Sequence, residues 1–180
     1  DEVDTVDEKV KRLAEELRKR VRESKERTKK LARDLREAVK ESLKDSERLA
    51  EDLRRKVRDE ELKRRVEEVV RESRRLNEEI RRIIEKVVED MKDSNRRIEE
   101  IIEKVVREVK ELLKRVRDDD TREKLERVER EIEKLVREVE KILRDIHRDN
   151  ERVVREVERR LEEITRRSRE LAKRVEDETR

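Results

Sequence analysis

Apolar residues recur along this 180-residue chain in blocks of 18 residues. The strings LAEELRKRV, LARDLREAV and LAEDLRRKV begin at Leu13, Leu31 and Leu49, with Leu, Ala, Leu and Val in the same places, and the spacing continues through the rest of the chain. Eighteen residues over five turns give the period of about 3.6 residues of a straight α-helix, whereas a period of about 3.5 forces a supercoil. The pattern predicts long, nearly straight helices rather than heptad coiled coils.

The apolar stripe changes phase at two places. Its direction turns by about 140° between Val57 and Leu62 and by about 180° after Val116, at 100° per residue. Both changes fall in acidic segments, where Asp59 and Asp120 are suited to accept the free N–H groups that begin the next helix. The sequence therefore predicts two turns at these segments.

Two turns divide the chain into helices at about residues 3–57, 60–116 and 121–178. Because short connections force neighbouring helices to run antiparallel, we expect an all-α fold. Its predicted architecture is a single elongated, antiparallel up-down-up three-helix bundle over residues 1–180. Each helix should be about 80 Å long at the usual rise per residue.

Polar residues interrupt the apolar stripes at matching heights. In antiparallel helices, Ser42 should lie opposite Asn77 and Ser46 opposite Ser73. An unpaired buried polar group costs about 1–3 kcal/mol, so these residues should hydrogen-bond to one another in layers that fix helix register and pairing. One predicted layer contains Ser24, Thr28, Ser94, Asn95, His147 and Asn150, and the other contains Ser42, Ser46, Ser73, Asn77, Thr165 and Ser168.

Composition excludes several classes of protein. The chain has no Gly, Pro, Cys, Phe, Tyr or Trp, so phosphate-binding glycine loops and disulfides are absent. Its 57 Lys and Arg residues are nearly balanced by 54 Asp and Glu residues, and neither half of the chain collects one sign of charge. This pattern argues against nucleic-acid binding, and no apolar run approaches a membrane span. We expect a soluble protein, cytoplasmic on recombinant expression.

The 18-residue repeats, the Leu, Ile and Val stripes, the Glu, Arg and Lys surfaces and the polar layers together resemble de novo designed, parametrically generated helical bundles with buried hydrogen-bond networks. The resemblance covers the whole chain. It implies a single-chain structural scaffold with no native biochemical function or native cellular location.

Candidate catalytic chemistry is sparse in this sequence. His147 is the one histidine and there is no cysteine, so we interpret it as a member of a polar layer rather than as a metal ligand or base. No carboxylate occupies a central stripe position that would orient a serine–histidine pair. We therefore predict no enzyme activity, no metal and no cofactor, and we expect acid to strain the layer that contains His147.

Two function classes are compatible with these features. The first is a self-contained, monomeric scaffold that requires no partner. The second is a protein-interaction module whose three helices form part of a larger bundle, completed by a designed partner helix or by a second copy of the chain.

Overall fold

The described part of the chain consists of three α-helices and contains no strand. The structure, a computed structural model, describes residues 2–116 and 121–179. Helix α1 spans Glu2–Lys56, α2 spans Glu60–Lys114 and α3 spans Thr121–Thr179. Helices of this length suit the composition, because Leu, Arg, Lys and Glu have high helix propensity and no Gly or Pro interrupts them. The predicted all-α class with three helices is confirmed.

Three residues connect α1 to α2. Val57 continues the helical hydrogen bonding by donating its N–H to Leu53 O at 3.0 Å, and its side chain is buried. Asp59 Oδ1 accepts the N–H of Glu61 at 3.2 Å, and its carbonyl accepts the N–H of Lys63 at 3.0 Å. The N-cap predicted at Asp59 is therefore confirmed. No described residue has a positive φ, so this connection needs no glycine.

Helix α2 ends at Lys114 in a tightened turn. The N–H of Arg115 donates to Leu112 O at 3.2 Å, a bond three residues back that replaces the α-helical pattern. The Nζ of Lys124 donates to Arg115 O at 2.5 Å, which places a cation at the carbonyl end of the helix. The cap predicted at Asp120 lies outside the described residues.

The chain forms two compact units, each with part of all three helices. Unit 1 comprises Asp1–Thr28 and Glu89–Asp149, and unit 2 comprises Lys29–Val88 and Asn150–Arg180. Buried apolar side chains from every helix form the interior of unit 1. Among the most fully buried are Leu17, Met91, Ile98, Ile102, Val109, Val128 and Val139.

Unit 2 contains two aliphatic clusters, each built from all three helices. Cluster A contains Ala32, Leu35, Val39, Leu76, Ile80, Ile84, Val87, Val153, Val157 and Ile164. Cluster B contains Ala50, Leu53, Val57, Leu62, Val66, Val70, Leu171 and Val175. Each buried Leu, Ile or Val contributes about 1.5–3 kcal/mol relative to exposure, so these clusters supply the main stabilisation of unit 2.

Ion pairs between helices occur in both units. In unit 1, Arg18 pairs with Glu99 at 3.5 Å and Arg20 with Glu140 at 3.4 Å. The pairs of unit 2 are Arg54 with Glu67 at 2.7 Å, Arg74 with Glu47 at 4.0 Å, Arg160 with Glu79 at 2.7 Å, and Arg167 with Glu72. Most of these side chains are at least one-third exposed, so each pair contributes little to stability.

The pair of Arg54 and Glu67 has the fork geometry that favours a charged hydrogen bond. Arg54 Nε donates to Glu67 Oε1 at 2.7 Å, and a second nitrogen donates to Oε2 at 3.2 Å. This hydrogen bonding lowers the pKa of the Glu67 carboxyl below its ordinary value and raises the pKa of Arg54. The paired, charged forms are therefore favoured in the folded state.

We expect Asp59→Ala to lower the free energy of unfolding by about 1 kcal/mol, because the N–H of Glu61 loses its side-chain acceptor. Urea denaturation measures the change. Asp34→Ala is the matched control, since Asp34 is an exposed residue inside α1 where alanine favours the helix. An equal loss in both variants would contradict a capping role for Asp59.

We expect Glu67→Gln to cause a small loss of stability at neutral pH that disappears in acid. The pKa of Glu67 is lowered by folding, so its contribution is present above the ordinary carboxyl pKa and is lost as the pH falls through the lowered value. Urea denaturation from neutral to strongly acidic pH should show the two proteins converging. Glu68→Gln is the control at a neighbouring exposed position, and a gap that persists in acid would contradict the ionic origin.

Candidate functional site: the buried polar residues

The residues of the first predicted polar layer differ in how far they are buried. On α1, Ser24 and Thr28 are buried, and on α2, Asn95 is buried while Ser94 is half-buried. These four residues belong to unit 1. Asn150 is half-buried and belongs to unit 2.

Asn95 is held by a sulfur acceptor of its own helix. Its Nδ2 donates to Met91 Sδ at 3.0 Å, and its Oδ1 is buried without a hydrogen-bond partner in the described part of the chain. A thioether is a weak acceptor, so the bond offsets only part of the cost of burying the amide. The sequence pattern did not indicate this contact, because Met91 occupies an apolar stripe position.

The prediction that His147 is a buried member of the first layer is wrong, because its side chain is exposed. The residue before it, Ile146, is the buried one at this turn of α3. Adjacent helical residues differ by 100° in direction, and His147 points away from the side on which Ile146 is buried. The expected strain in acid loses its basis, since there is no buried imidazole to be charged.

The second polar layer lies in unit 2, at the sequence interval that separates clusters A and B on every helix. On α1, Ser42 and Ser46 lie between Val39 of cluster A and Ala50 of cluster B. On α2, Ser73 lies between Val70 of cluster B and Leu76 of cluster A, whereas Asn77 lies within the cluster A segment, between Leu76 and Ile80. On α3, Ser168 lies between Ile164 and Leu171. Of these residues Ser73, Asn77 and Ser168 are buried, and the serines of α1 are half-buried.

Asn77 carries the highest energetic cost of this layer. Its side chain is 3% exposed, and neither Nδ2 nor Oδ1 has a hydrogen-bond partner within the described ranges. An unsatisfied buried polar group costs about 1–3 kcal/mol. The predicted hydrogen bonding of Asn77 within its layer is thus wrong.

Thr165 does not belong to the buried layer, and this prediction is corrected. The residue is exposed, and its Oγ1 donates to Leu161 O at 3.1 Å within α3. Threonine satisfies its hydroxyl in this way on the solvent-facing side of many helices. The buried neighbour at this turn is Ile164.

A groove between α1 and α3 exposes one side of the second layer. It has a volume of about 450 Å³ and lies wholly within unit 2. The hydroxyl-bearing residues of its wall are Ser42, Ser46, Thr165 and Ser168, and the apolar ones are Ala38, Leu49, Leu161 and Ile164. The charged residues of the wall are Glu41 and Asp45 on α1 and Arg169 on α3. The sequence pattern did not indicate the groove, although the small residues Ala38, Ser42 and Ser46 follow one another at a spacing of four and leave room on that side of α1.

The described residues include no group of three or more His, Asp or Glu side chains that could hold a metal ion. No helix among them has an apolar stretch long enough to cross a lipid bilayer. Comparison of the chain with protein-family models, with curated proteins and with solved structures finds no match.

We expect Asn77→Leu to raise the free energy of unfolding by about 1–3 kcal/mol, because an apolar side chain of similar size removes two unsatisfied polar atoms. Guanidinium denaturation measures the change. Asn95→Leu is the matched control and should gain less, since the wild-type amide already donates to Met91. A lower stability for Asn77→Leu would show that water or a protein group satisfies the amide in solution.

Proposed function

We propose that this chain is a designed structural scaffold without enzyme activity, an antiparallel up-down-up three-helix bundle whose buried polar residues specify helix register and pairing. It requires no cofactor and no partner for this role. The proposal rests above all on one observation, the polar interval between clusters A and B on all three helices of unit 2.

The order of the ion pairs in unit 2 supports the antiparallel arrangement. Between α1 and α2, Glu47 pairs with Arg74, whereas Arg54, further along α1, pairs with the earlier Glu67. Partners that move backwards along α2 as α1 advances are typical of antiparallel neighbours.

The helices α2 and α3 follow the same rule in unit 2. Glu72 pairs with Arg167, and the later Glu79 pairs with the earlier Arg160. The two short connections predicted from the phase changes also favour up-down-up order.

The repetition of the aliphatic core explains why another feature is needed to select one alignment of neighbouring helices. Aliphatic blocks that recur every 18 residues look alike to a neighbouring helix, so a slipped bundle buries nearly the same apolar area. Slipping by one turn would move the hydroxyls of Ser42, Ser46 and Ser168 away from the groove that they line and against aliphatic side chains of clusters A and B. Specificity for one register, rather than extra stability, is therefore the proposed role of the polar residues.

A spin-label experiment tests this function in unit 2. The chain lacks cysteine, so Glu37→Cys on α1 and Glu68→Cys on α2 give two exposed labelling sites. A one-turn slip moves the labels by about 5 Å along the helix axis. We expect one narrow distance in the parent protein.

The test variant carries Val at Ser42, Ser46, Ser73 and Ser168 and Leu at Asn77. We expect its melting temperature to be preserved or raised, because polar groups leave the interior, and its distance distribution to broaden or split. Labels at Glu68 and Glu85, both on α2, are the control and should keep one distance. A single unchanged distance between α1 and α2, or a large fall in melting temperature, would reject the proposal.

A further inference from the structure

The groove between α1 and α3 in unit 2 combines space with unused hydrogen-bonding capacity. Ser168 lines its wall and is 8% exposed. No hydrogen bond in the described ranges involves the hydroxyl of Ser168, Ser42 or Ser46. These hydroxyls are accessible from the groove, so a donor or acceptor that enters it can form hydrogen bonds with them.

The shape of the groove suits the side of another helix. Its volume of about 450 Å³ is within the usual range for binding pockets. Leu49 and Leu161 are half-buried there and offer apolar contact area, while Ala38 is an exposed small residue that allows close approach. Side-chain ridges of a docked helix pack into such a depression.

The α1 edge of the groove is acidic. Glu41 and Asp45 line it, and Asp34 and Asp52 lie seven residues before and after them, on the same face of the helix. All four are exposed. Lys44 and Lys56 approach Glu41 and Asp52, at 3.9 and 3.1 Å. Asp45 has no ion pair within the part of the chain that the structure describes.

We infer that this groove binds an amphipathic helix of another protein, with an aliphatic face that carries a central Asn and with Lys or Arg along the edge that meets α1, since Arg169 lines the α3 side. The Asn bonds the hydroxyls of Ser42, Ser46 and Ser168, the aliphatic residues contact Leu49 and Leu161, and the cations face Glu41 and Asp45. The inference goes beyond the scaffold function, which needs no partner.

Fluorescence anisotropy with labelled synthetic peptides of about 25 residues tests the inference, since helices of this length form readily. The first peptide has a Leu face, a central Asn and Lys along one edge. The second replaces Asn with Leu and should bind roughly threefold to tenfold more weakly, because the groove hydroxyls stay unpaired. The third replaces the Lys of that edge with Glu and should bind at least about tenfold more weakly.

Protein variants locate the binding. Glu41→Lys with Asp45→Lys should weaken binding of the Lys-edged peptide by about tenfold and improve binding of the Glu-edged one. The control, Glu47→Lys with Glu51→Lys, reverses two exposed acids of the same helix away from the groove and should change neither affinity appreciably. Ser42→Leu with Thr165→Leu fills the groove and should abolish binding while the melting temperature is retained.

Three outcomes would overturn the inference. These are failure of the Lys-edged peptide to bind, equal loss in the control variant, and unchanged binding to the groove-filled variant. Sedimentation of the protein without peptide tests a fourth outcome. If the protein is a dimer, and Ser42→Leu with Thr165→Leu dissociates this dimer, a second copy of the chain occupies the groove and the inference is wrong. The spin-label distances test the scaffold proposal and are measured without peptide. Failure of the scaffold proposal can therefore be distinguished from failure of the peptide-binding inference.

Discussion

A buried polar group that lacks a partner is the constraint on which the proposed register specificity of this protein depends. Clusters A and B are made only of Ala, Leu, Ile and Val, and their hydrophobic stabilisation does not depend on direction. Such packing stabilises compact helices in more than one alignment. A polar side chain that is buried without a partner costs free energy, and the cost is avoided where the side chain meets water or a polar partner. Under the proposed function, the serines of the second layer therefore favour the arrangement that keeps their hydroxyls on the open side of the bundle, along the groove.

The same constraint explains why Asn77 and Asn95 differ from the surrounding serines. A hydroxyl is small and has one donor, whereas a side-chain amide has two donors and an acceptor to satisfy. Asn95 satisfies one donor through Met91, and Asn77 satisfies neither polar atom within the described residues. Their burial lowers stability locally, which is consistent with a role in selecting one arrangement and not with a role in strengthening it.

Helix class and the first turn were predictable from the sequence because they depend on local chemistry. The 3.6-residue period, the lack of Gly and Pro and the carboxylate of Asp59 act within a few residues of one another. Burial at the stripe edge was not predictable in the same way. His147 and Thr165 each follow a buried isoleucine, and whether the next residue is covered depends on the size of side chains on a neighbouring helix. Thr165 faces the groove that it shares with the small residues Ser42 and Ser46 of α1, and it is exposed there.

The serine side chains of the second polar layer also create the groove, because they are small. Leucine in place of Ser42 or Ser46 would fill the space between α1 and α3 and would also remove the hydroxyl, so the polar layer and the groove depend on the same small side chains. A polar layer at the edge of a three-helix bundle therefore leaves both volume and hydrogen-bonding capacity on its open side. A layer enclosed equally by all three helices would leave neither. Ser73 and Asn77 are buried, whereas Ser42 and Ser46 are half-buried. This layer is therefore of the kind that lies at the edge of the bundle and is open on one side.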